Sequence, residues 1–381
     1  MVPNPRPPRE LPAERLVRLV PALEAVPRRV TRRAATNGVC PVAGWCSPAG
    51  VLPTGPFACR GFRSGVVGMA IRFPRGTTFT DRLVGPLPRF GDVLRFMWTD
   101  EVPRRSELDP LLVPVSHAPL PAIGPRQAAL TWIGHATYLL RVAGTGVVTD
   151  PVWSRRIPGV PRRLSEPGLE FARLPPVDVV LISHDHYDHL DAPTIERFPR
   201  DVTVLVPLGL GSWFTARGFT AVTEFDWWES ARIGALRFDF VPARHWSRRG
   251  PADFCRSLWG GWLVTAPNGL RFYHAGDTGY GRHFERIGRA YPGIDVAMLP
   301  IGAYHPIGVM RPVHLTPEDA VAAALDLGAS RLASMHWATF PLTREPVLQP
   351  LERLRAAWFG AGGLPERLWD MAVGETRTLR S

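Results

Sequence analysis

Residues 183–189, with the sequence SHDHYDH, constrain this chain more strongly than any other segment. They directly follow an apolar, strand-like run and contain three histidines and two aspartates. Neutral imidazole and carboxylate groups are ligands of zinc and similar divalent metals. His184 and His186 are two residues apart, so in an extended segment both side chains point to one side. Asp188 and His189 follow after the chain turns and could serve a second metal. The pattern predicts a metal site, and a polar turn rich in histidine by chance is the weaker alternative.

The remaining ligands of two metal sites are expected downstream, at the ends of other strands. Three polar residues each follow a strand-like run of apolar residues, namely His245, Asp277 and His336. α/β and β-sandwich scaffolds place functional groups at such positions. Taken singly, each residue could equally be a polar residue of the core or of a loop. Their recurrence in the same context favours metal ligands.

These residues carry a resemblance to a known family. The order HxHxDH, followed by histidine, aspartate and histidine at spacings of 56, 32 and 59 residues, resembles the metallo-β-lactamase-fold hydrolases. Five further segments resemble one branch of them, the N-acylphosphatidylethanolamine-hydrolysing phospholipase D-like group, and more distantly the ascorbate-6-phosphate lactonases. They are WIGHAT (132–137), SLWGGW (257–262), AGDTGY (275–280), LPIGAY (299–304) and MHWATF (335–340). The resemblance covers residues 125–360, and it specifies the branch better than the substrate.

The resemblance implies an α/β fold, the αββα sandwich, in which two mixed β-sheets are flanked by helices and the metals lie at one sheet edge. The sequence agrees independently, since apolar strand-like runs alternate with helix-like stretches. Strands are predicted over 128–133, 137–142, 146–149, 177–182, 203–206, 236–241, 258–265, 270–274 and 295–299. Helices are predicted over 193–199, 281–290, 317–327 and 346–358. Thr316 is expected to cap the third of these, because a proline and two carboxylates follow it.

The resemblance also implies a dinuclear centre. His184, His186 and His245 would hold the first metal, Asp188, His189 and His336 the second, and Asp277 would bridge both. We expect two Zn²⁺ ions, and imidazole and carboxylate also suit Fe or Mn. Such a pair lowers the pKa of a shared water, which then attacks phosphorus or a carbonyl carbon without a protein nucleophile.

Four other residues are expected near this chemistry. The family places a histidine near the substrate in the segment that matches His314, where it could donate a proton to the leaving oxygen or hold a phosphate oxygen. A structural role at a helix entry is the equal alternative for His314. His135 is expected to orient a metal ligand through a hydrogen bond. Tyr304 and Arg311 are expected in the substrate pocket, and Asp188, Asp277 and His314 are the predicted catalytic residues.

Three functions remain open from the sequence. The first is a metal-dependent phosphodiesterase that acts on a phospholipid or a related small phosphodiester. The second is a metal-dependent hydrolase of lactones or other carboxylic esters. The third is a non-catalytic or regulatory metal-binding protein, which a complete set of seven ligands disfavours.

Charge is distributed unevenly along the chain. All 45 basic residues are arginine, and residues 1–130 hold 18 of them against 9 acidic residues, whereas the remainder holds 27 against 25. The basic N-terminal region could therefore contact an anionic membrane surface; a leader rich in proline and arginine with no specific partner is the alternative. No nucleic-acid recognition motif is present, so nucleic-acid binding is not expected. The sequence gives no indication of an oligomeric state.

Composition and cysteine spacing bound the domain organisation. With 381 residues, of which 45% are hydrophobic, the chain can bury a large core. No run of 18 apolar residues and no signal-peptide pattern occur, so a cytoplasmic protein, possibly peripheral to a membrane, is expected. The spacing of Cys40, Cys46 and Cys59 does not match a zinc ribbon. We expect a basic leader over 1–60, an extension packed on the core over 61–125 and a hydrolase domain over 126–381.

Overall fold

The architecture is built on two mixed β-sheets of seven strands each. A computed structural model describes residues 78–85, 87, 91 and 108–380 of the chain. In spatial order, the first sheet contains β14 (Thr376–Arg380), β1 (Gln127–Gly134), β2 (Thr137–Val142), β3 (Thr145–Thr149), β4 (Val179–Leu181), β5 (Thr203–Pro207) and β6 (Val222–Phe225). The second contains β13 (Leu368–Trp369), β12 (Leu332–Met335), β11 (Val296–Pro300), β10 (Arg271–His274), β9 (Gly261–Thr265), β8 (Leu236–Val241) and β7 (Ser230–Ile233).

Each sheet is antiparallel in one half and parallel in the other. β14, β1, β2 and β3 are antiparallel neighbours, and β3 to β6 are parallel. In the second sheet β7 to β10 are antiparallel, and β10 to β13 are parallel. Every residue of β4 and of β11 is buried, as expected for parallel strands covered on both faces. The predicted sandwich of two mixed sheets is confirmed.

Helices flank the two sheets. They are α1 (Asp109–Leu112), α2 (Ala192–Ile195), α3 (Gly211–Thr215), α4 (His283–Ala290), α5 (Ile307–Met310), α6 (Pro317–Asp326) and α7 (Gln349–Gly360), with 3₁₀ turns at Thr80–Arg82, Phe171–Arg173 and Pro365–Arg367. Thr316 and Asp319 form the reciprocal side-chain to backbone hydrogen bonds of a capping box at the start of α6. This start agrees with the predicted cap.

Several predicted elements are shorter in the structure. The strand expected over 177–182 spans only Val179–Leu181. The helix expected over 193–199 ends at Ile195, because residues 196–198 form turns and Pro199 cannot continue a helix. The strand expected over 258–265 begins at Gly261. The N–H groups of Leu258 and Gly260 instead donate to the carbonyls of Leu208 and Ser183, in loops next to the first sheet.

One hydrophobic core lies between the sheets. It contains Leu130 and Leu205 from the first sheet together with Phe240 and Phe272 from the second. The Trp262 indole in the second sheet donates to the carbonyl of Ile182 at 2.8 Å. The two sheets are thereby held face to face, and the loops at one edge of each meet.

The described part of the N-terminal region contacts this core. Phe79 is buried, and its N–H donates to the carbonyl of Cys255 at 2.7 Å. Val115 forms a parallel bridge with Val373. Residues 1–60, including three of the cysteines, lie outside the described residues, and the domain boundaries stay predictions. Within the described residues, no helix has the length and hydropathy needed to cross a membrane.

Candidate metal centre

The structure brings all seven predicted ligands together at one edge of the sandwich. Four follow β4, and one each follows β8, β10 and β12. Because these strands end at the same edge, residues up to 152 positions apart in sequence, such as His184 and His336, become neighbours. The seven are His184, His186, Asp188, His189, His245, Asp277 and His336.

The first group consists of His184, His186, His245 and Asp277, whose ligand atoms lie within 4.8 Å of one another. His186 Nδ1 is 3.0 Å from His184 Nε2 and 3.2 Å from His245 Nε2. Donor atoms on a tetrahedral zinc ion, with bonds of about 2.05 Å, are roughly 3.3 Å apart. The three ring nitrogens thus converge at the spacing that one ion would require.

The second group consists of His135, Asp188, His189 and His336. The Asp188 Oδ2 atom is 3.4 Å from His336 Nε2 and 3.6 Å from His189 Nε2. The His135 ring donates from Nε2 to the same carboxylate oxygen at 2.9 Å. His135 therefore has the position predicted for a residue that orients a ligand, and its own ring nitrogen also borders the group.

Asp277 faces both groups. Its Oδ2 atom is 3.8 Å from His245 Nε2 and 3.9 Å from His184 Nε2 in the first group. The same atom is 3.3 Å from His189 Nε2, and Oδ1 is 3.1 Å from His336 Nε2 in the second. One buried carboxylate thus stands between two sets of imidazole nitrogens.

Comparison with known proteins agrees with this arrangement. A family model described as a β-lactamase superfamily domain matches residues 145–337, about half of the chain. The chain belongs to the metallo-β-lactamase superfamily.

The chain is also similar to individual proteins, and one of them has an activity in its name. The chain is 37% identical to an N-acyl-phosphatidylethanolamine-hydrolyzing phospholipase D of Caenorhabditis elegans, over 59% of this chain and 68% of that one. It is 41% identical to an uncharacterized protein of Mycobacterium tuberculosis, over 63% of this chain and 68% of the relative. A metallo hydrolase of Ignicoccus hospitalis superposes with a TM-score of 0.53 at 25% identity, covering 67% of this chain and 99% of that one. The chain is thus a metal-dependent hydrolase of the superfamily.

In the second group, the carboxylates of Asp188 and Asp277 are ionised and the neighbouring histidines respond to their charge. Burial opposes ionisation, yet the surrounding histidines hold the pKa values of Asp188 and Asp277 well below the usual range. Burial likewise opposes charge on His336, but Asp277 and Asp188 raise its pKa to about 9. The pKa of His189 is raised well above its ordinary value, against burial, by Asp277, Asp188 and Asp150. Without metal, protons on these two imidazoles balance the carboxylates.

The histidines of the first group have lowered pKa values, in contrast to His189 and His336. Burial, together with neighbouring histidines, lowers the pKa of His184 well below its usual value. Burial also lowers the pKa of His245 well below the usual value and that of His186 to about 4. These imidazoles are neutral at pH 7 and present lone pairs, as metal ligation requires.

Several inward-facing atoms make no well-directed hydrogen bond within the described residues, even where an oppositely charged group is close, as for His336 Nε2 and Asp277 Oδ1 at 3.1 Å. They are buried, and they include His189 Nε2, His336 Nε2 and Asp277 Oδ1. Buried polar atoms are nearly always satisfied, so each exception needs an explanation. A cation between the groups would satisfy all three, and imidazole with carboxylate suits zinc, iron or manganese.

Asp150 is a central residue of the site that the sequence analysis missed. Its carboxylate accepts hydrogen bonds from Ser183 N–H at 2.7 Å, Ser183 Oγ at 2.6 Å, His189 Nδ1 at 2.8 Å and His274 Nε2 at 2.9 Å. Burial raises the pKa of Asp150, but the two histidines outweigh this and lower it to about 2. The available signal was its place directly after β3, the same context that identified the other strand-end ligands.

The predicted substrate residues are placed differently from one another. His314 borders the centre, with Nδ1 3.9 Å from Asp277 Oδ2. Tyr304 is fully buried, and its hydroxyl donates to Gln349 at 2.7 Å. Arg311 forms a two-pronged ion pair with Asp319 at the start of α6. The pocket role of Tyr304 and Arg311 stays a prediction, since the described contacts of both side chains are with these other partners.

Four of the eight non-glycine residues with a positive φ among the described residues lie at or near the centre. His135, Asp150, His336 and Ala338 have φ angles of 53°, 36°, 63° and 55°. Residues with a Cβ seldom adopt such angles, and they persist only where surrounding contacts hold them. Here the His336 N–H donates to the carbonyl of His135 at 3.0 Å, which links two of the strained residues.

Proposed function

We propose that the chain is a dinuclear zinc hydrolase acting on phosphodiesters of the N-acylphosphatidylethanolamine type. His184, His186 and His245 would hold the first metal, Asp188, His189 and His336 would hold the second, and Asp277 would serve both. The position of Asp277 between the two groups is the observation that carries this proposal. A single-metal site would leave one set of converging imidazoles without a cation.

The residues of the chain divide the remaining work. Two bound metals supply Lewis acidity and an activated water at neutral pH. Asp150 and His135 orient His189 and Asp188 through their hydrogen bonds, which fixes the second set of ligands before substrate arrives. Burial, only partly offset by Asp277, lowers the pKa of His314 to about 4, so its imidazole is neutral at pH 7. A neutral imidazole favours the role of holding a phosphate oxygen by hydrogen bonding over that of proton donor.

Support for a phosphodiester comes from the phospholipase D relative of Caenorhabditis elegans. A lipid phosphodiester also agrees with the basic N-terminal region, where an anionic membrane could be contacted from the cytoplasmic side. Lactones and other carboxylic esters are the competing substrate class.

The test compares three substrates with zinc-loaded, full-length protein: N-acylphosphatidylethanolamine in vesicles, a soluble aryl phosphodiester and an aliphatic lactone. We expect about two zinc equivalents by elemental analysis, hydrolysis of both phosphodiesters and loss of both activities after chelation. His336→Ala should abolish turnover, whereas Arg256→Ala, at an exposed arginine, should not. Hydrolysis of the lactone faster than of either phosphodiester would show that carboxylic esters are the substrate class instead. Activity retained in chelator with only trace metal would overturn the metal mechanism.

A further inference from the structure

Arg244 links the two loops that carry His245 and Asp277. Its N–H donates to Thr278 Oγ1 at 2.9 Å, and its carbonyl accepts from the Gly279 N–H at 2.8 Å. Arg244 directly precedes one metal-group residue, and Thr278 directly follows the other. These backbone bonds set the distance between the two loops.

The Arg244 side chain extends the link to a third segment. Nη1 donates to the carbonyl of Tyr280, and Nη2 to the carbonyl of Val84 at 3.4 Å. A Cβ at Gly281 would lie 2.7 Å from Arg244 Cδ, so a larger residue at 281 would push the arginine side chain aside. The guanidinium therefore joins the Asp277 loop to the N-terminal region.

Residues 78–85, the segment that contains Val84, are attached to the same side of the sandwich at further points. Phe79 is buried, and its N–H donates to the carbonyl of Cys255. Arg82 pairs with Asp226 at 3.1 Å and lies over the Trp227 ring at 5.2 Å. The Cys255 N–H in turn donates to the carbonyl of Ser247, two residues after His245. The segment thus supports the loop that carries His245 from outside.

We propose that Arg244 is a positioning residue for the first metal group, and that it anchors residues 78–85 as an outer brace of the His245 loop. Its described hydrogen bonds are to Thr278, Gly279, Tyr280 and Val84, and through them it fixes the separation of the loops that carry His245 and Asp277. The inference rests on the ligand assignment of the proposed function. Metal ligands must be held within about 0.5 Å of their binding geometry. Loss of a hydrogen bond that orients a ligand commonly lowers metal affinity roughly 10-fold to 100-fold.

The experiment is a cobalt titration of the full-length, metal-stripped protein, followed by the visible absorption of bound Co²⁺ and by thermal unfolding. His245→Ala and His336→Ala provide reference spectra for loss of the first and the second group. Arg244→Met keeps the aliphatic stem and the backbone hydrogen bonds but removes the guanidinium that donates to the carbonyls of Tyr280 and Val84, and Arg244→Lys keeps the charge. Arg256→Met is the matched control, because Arg256 is exposed near the same loop.

We expect Arg244→Met to weaken cobalt binding in the first group by roughly 10-fold to 100-fold and to leave the second group unchanged. Arg244→Lys should fall between Arg244→Met and the wild type, and Arg256→Met should match the wild type. Phe79→Ala should reproduce the loss in the first group if the segment acts as a brace. If Arg244→Met does not fold, Arg244→Lys decides the question.

Two outcomes overturn the inference. One is wild-type cobalt binding in both Arg244 variants, and the other is an equal loss in both groups, which indicates general destabilisation. If cobalt binding in the first group is weakened in the Arg244 variants but normal in Phe79→Ala, residues 78–85 do not support the His245 loop, and Arg244 acts without them. The proposed function fails separately, if neither His245→Ala nor His336→Ala changes the cobalt spectrum.

Discussion

Asp277 lies between the two proposed metal groups, and its carboxylate is within 3.9 Å of imidazole nitrogens on each side. Asp277→Asn keeps the shape but removes the charge that the two cations would share. We predict that it lowers affinity for both metals by more than roughly 100-fold, beyond the usual cost of losing an outer hydrogen bond. Metal content after dialysis measures this.

His245→Ala should lose mainly the first metal and His336→Ala mainly the second, which separates a bridging residue from an ordinary ligand. Asp201→Asn, at an exposed aspartate, is the control. Two tightly bound metals and normal turnover in Asp277→Asn would show that the bridging assignment is wrong.

Protons on His336 and His189 must leave before a second metal binds. Because the pKa of His336 is raised to about 9, each unit of pH below 9 reduces the deprotonated fraction of this one imidazole roughly tenfold. The raised pKa of His189 makes the loss of binding-competent protein steeper still. We predict proton release on zinc binding at pH 7.5, measured by calorimetry in buffers of different ionisation enthalpy. Equal binding heats in all buffers, after dilution correction, would contradict the assigned charge states.

Stability of the metal-free protein should follow the same groups. The pKa of His336 is higher in the folded state than in the unfolded state, so its contribution is complete below about pH 6.5 and is lost as pH rises through about 9. Asp188 and Asp277 have lowered pKa values, so their contribution is present above about pH 4 and is lost on acidification. Denaturant unfolding of the metal-free protein across this range gives the curve.

The positions of the proposed ligands were predictable, because each one follows a strand whose apolar residues are visible in the sequence. Asp150 has the same context, but aspartate is common at strand ends, and nothing local distinguishes it. Its importance comes from Ser183 and His274, which lie 33 and 124 residues away in sequence. Such a hydrogen-bond set exists only after the sheets have formed.

At the level of elements, the turn of the β2–β3 hairpin holds an alanine at a positive φ, a backbone strain that another residue would reduce. Its two-residue turn is Ala143-Gly144, with φ angles of 50° and 75°. A turn with both angles positive favours asparagine followed by glycine, and alanine is unfavourable there. We predict that Ala143→Asn raises the free energy of unfolding by about 0.5–1 kcal/mol and leaves turnover unchanged.

Chemical denaturation of the metal-loaded protein measures this effect. Ala143→Val, which adds a β-branched side chain at the same position, should destabilise instead. A lower stability of the asparagine variant would mean that the turn is held by contacts other than its own backbone preference.

Elements with strong apolar periodicity were predictable, and edge elements were not. β7 and β14 lie at sheet edges and contain few buried residues, so their alternation of polar and apolar side chains is weak. β14 reads as TRTLR and becomes a strand because β1 pairs with it. α3 and α5 were not predicted, because they have five and four residues, too few to show a helical period. α2, also of four residues, was predicted only as part of a longer helix.

At the level of the whole molecule, most of the net positive charge lies in the N-terminal region, whereas the proposed metal centre lies downstream. Membrane binding and hydrolysis can therefore be tested separately. Residues 1–33 carry eight arginines and three glutamates and lie outside the described residues. If they contact an anionic membrane, their deletion should weaken binding to vesicles that contain phosphatidylserine by orders of magnitude, because each arginine near the surface contributes about 1 kcal/mol. Hydrolysis of a soluble phosphodiester should survive the deletion, since the ligands begin at His184.

Vesicle co-sedimentation at low and high salt, with neutral vesicles as the control, measures this prediction. Binding that neither the deletion nor salt changes would exclude an electrostatic tether. Loss of soluble turnover would instead assign the first 33 residues to the folding of the catalytic part.

β14 completes the edge of the first sheet by pairing with β1, whose residues lie up to 253 positions earlier, as in Gln127 and Arg380. During synthesis, at roughly 5–20 residues per second, β1 leaves the ribosome about 10–50 s before its partner exists. For that interval the outer edge of β1 is an open template for any other nascent strand. Expression yield should therefore depend on translation speed and on chaperones that cover this edge, even though the finished protein conceals it.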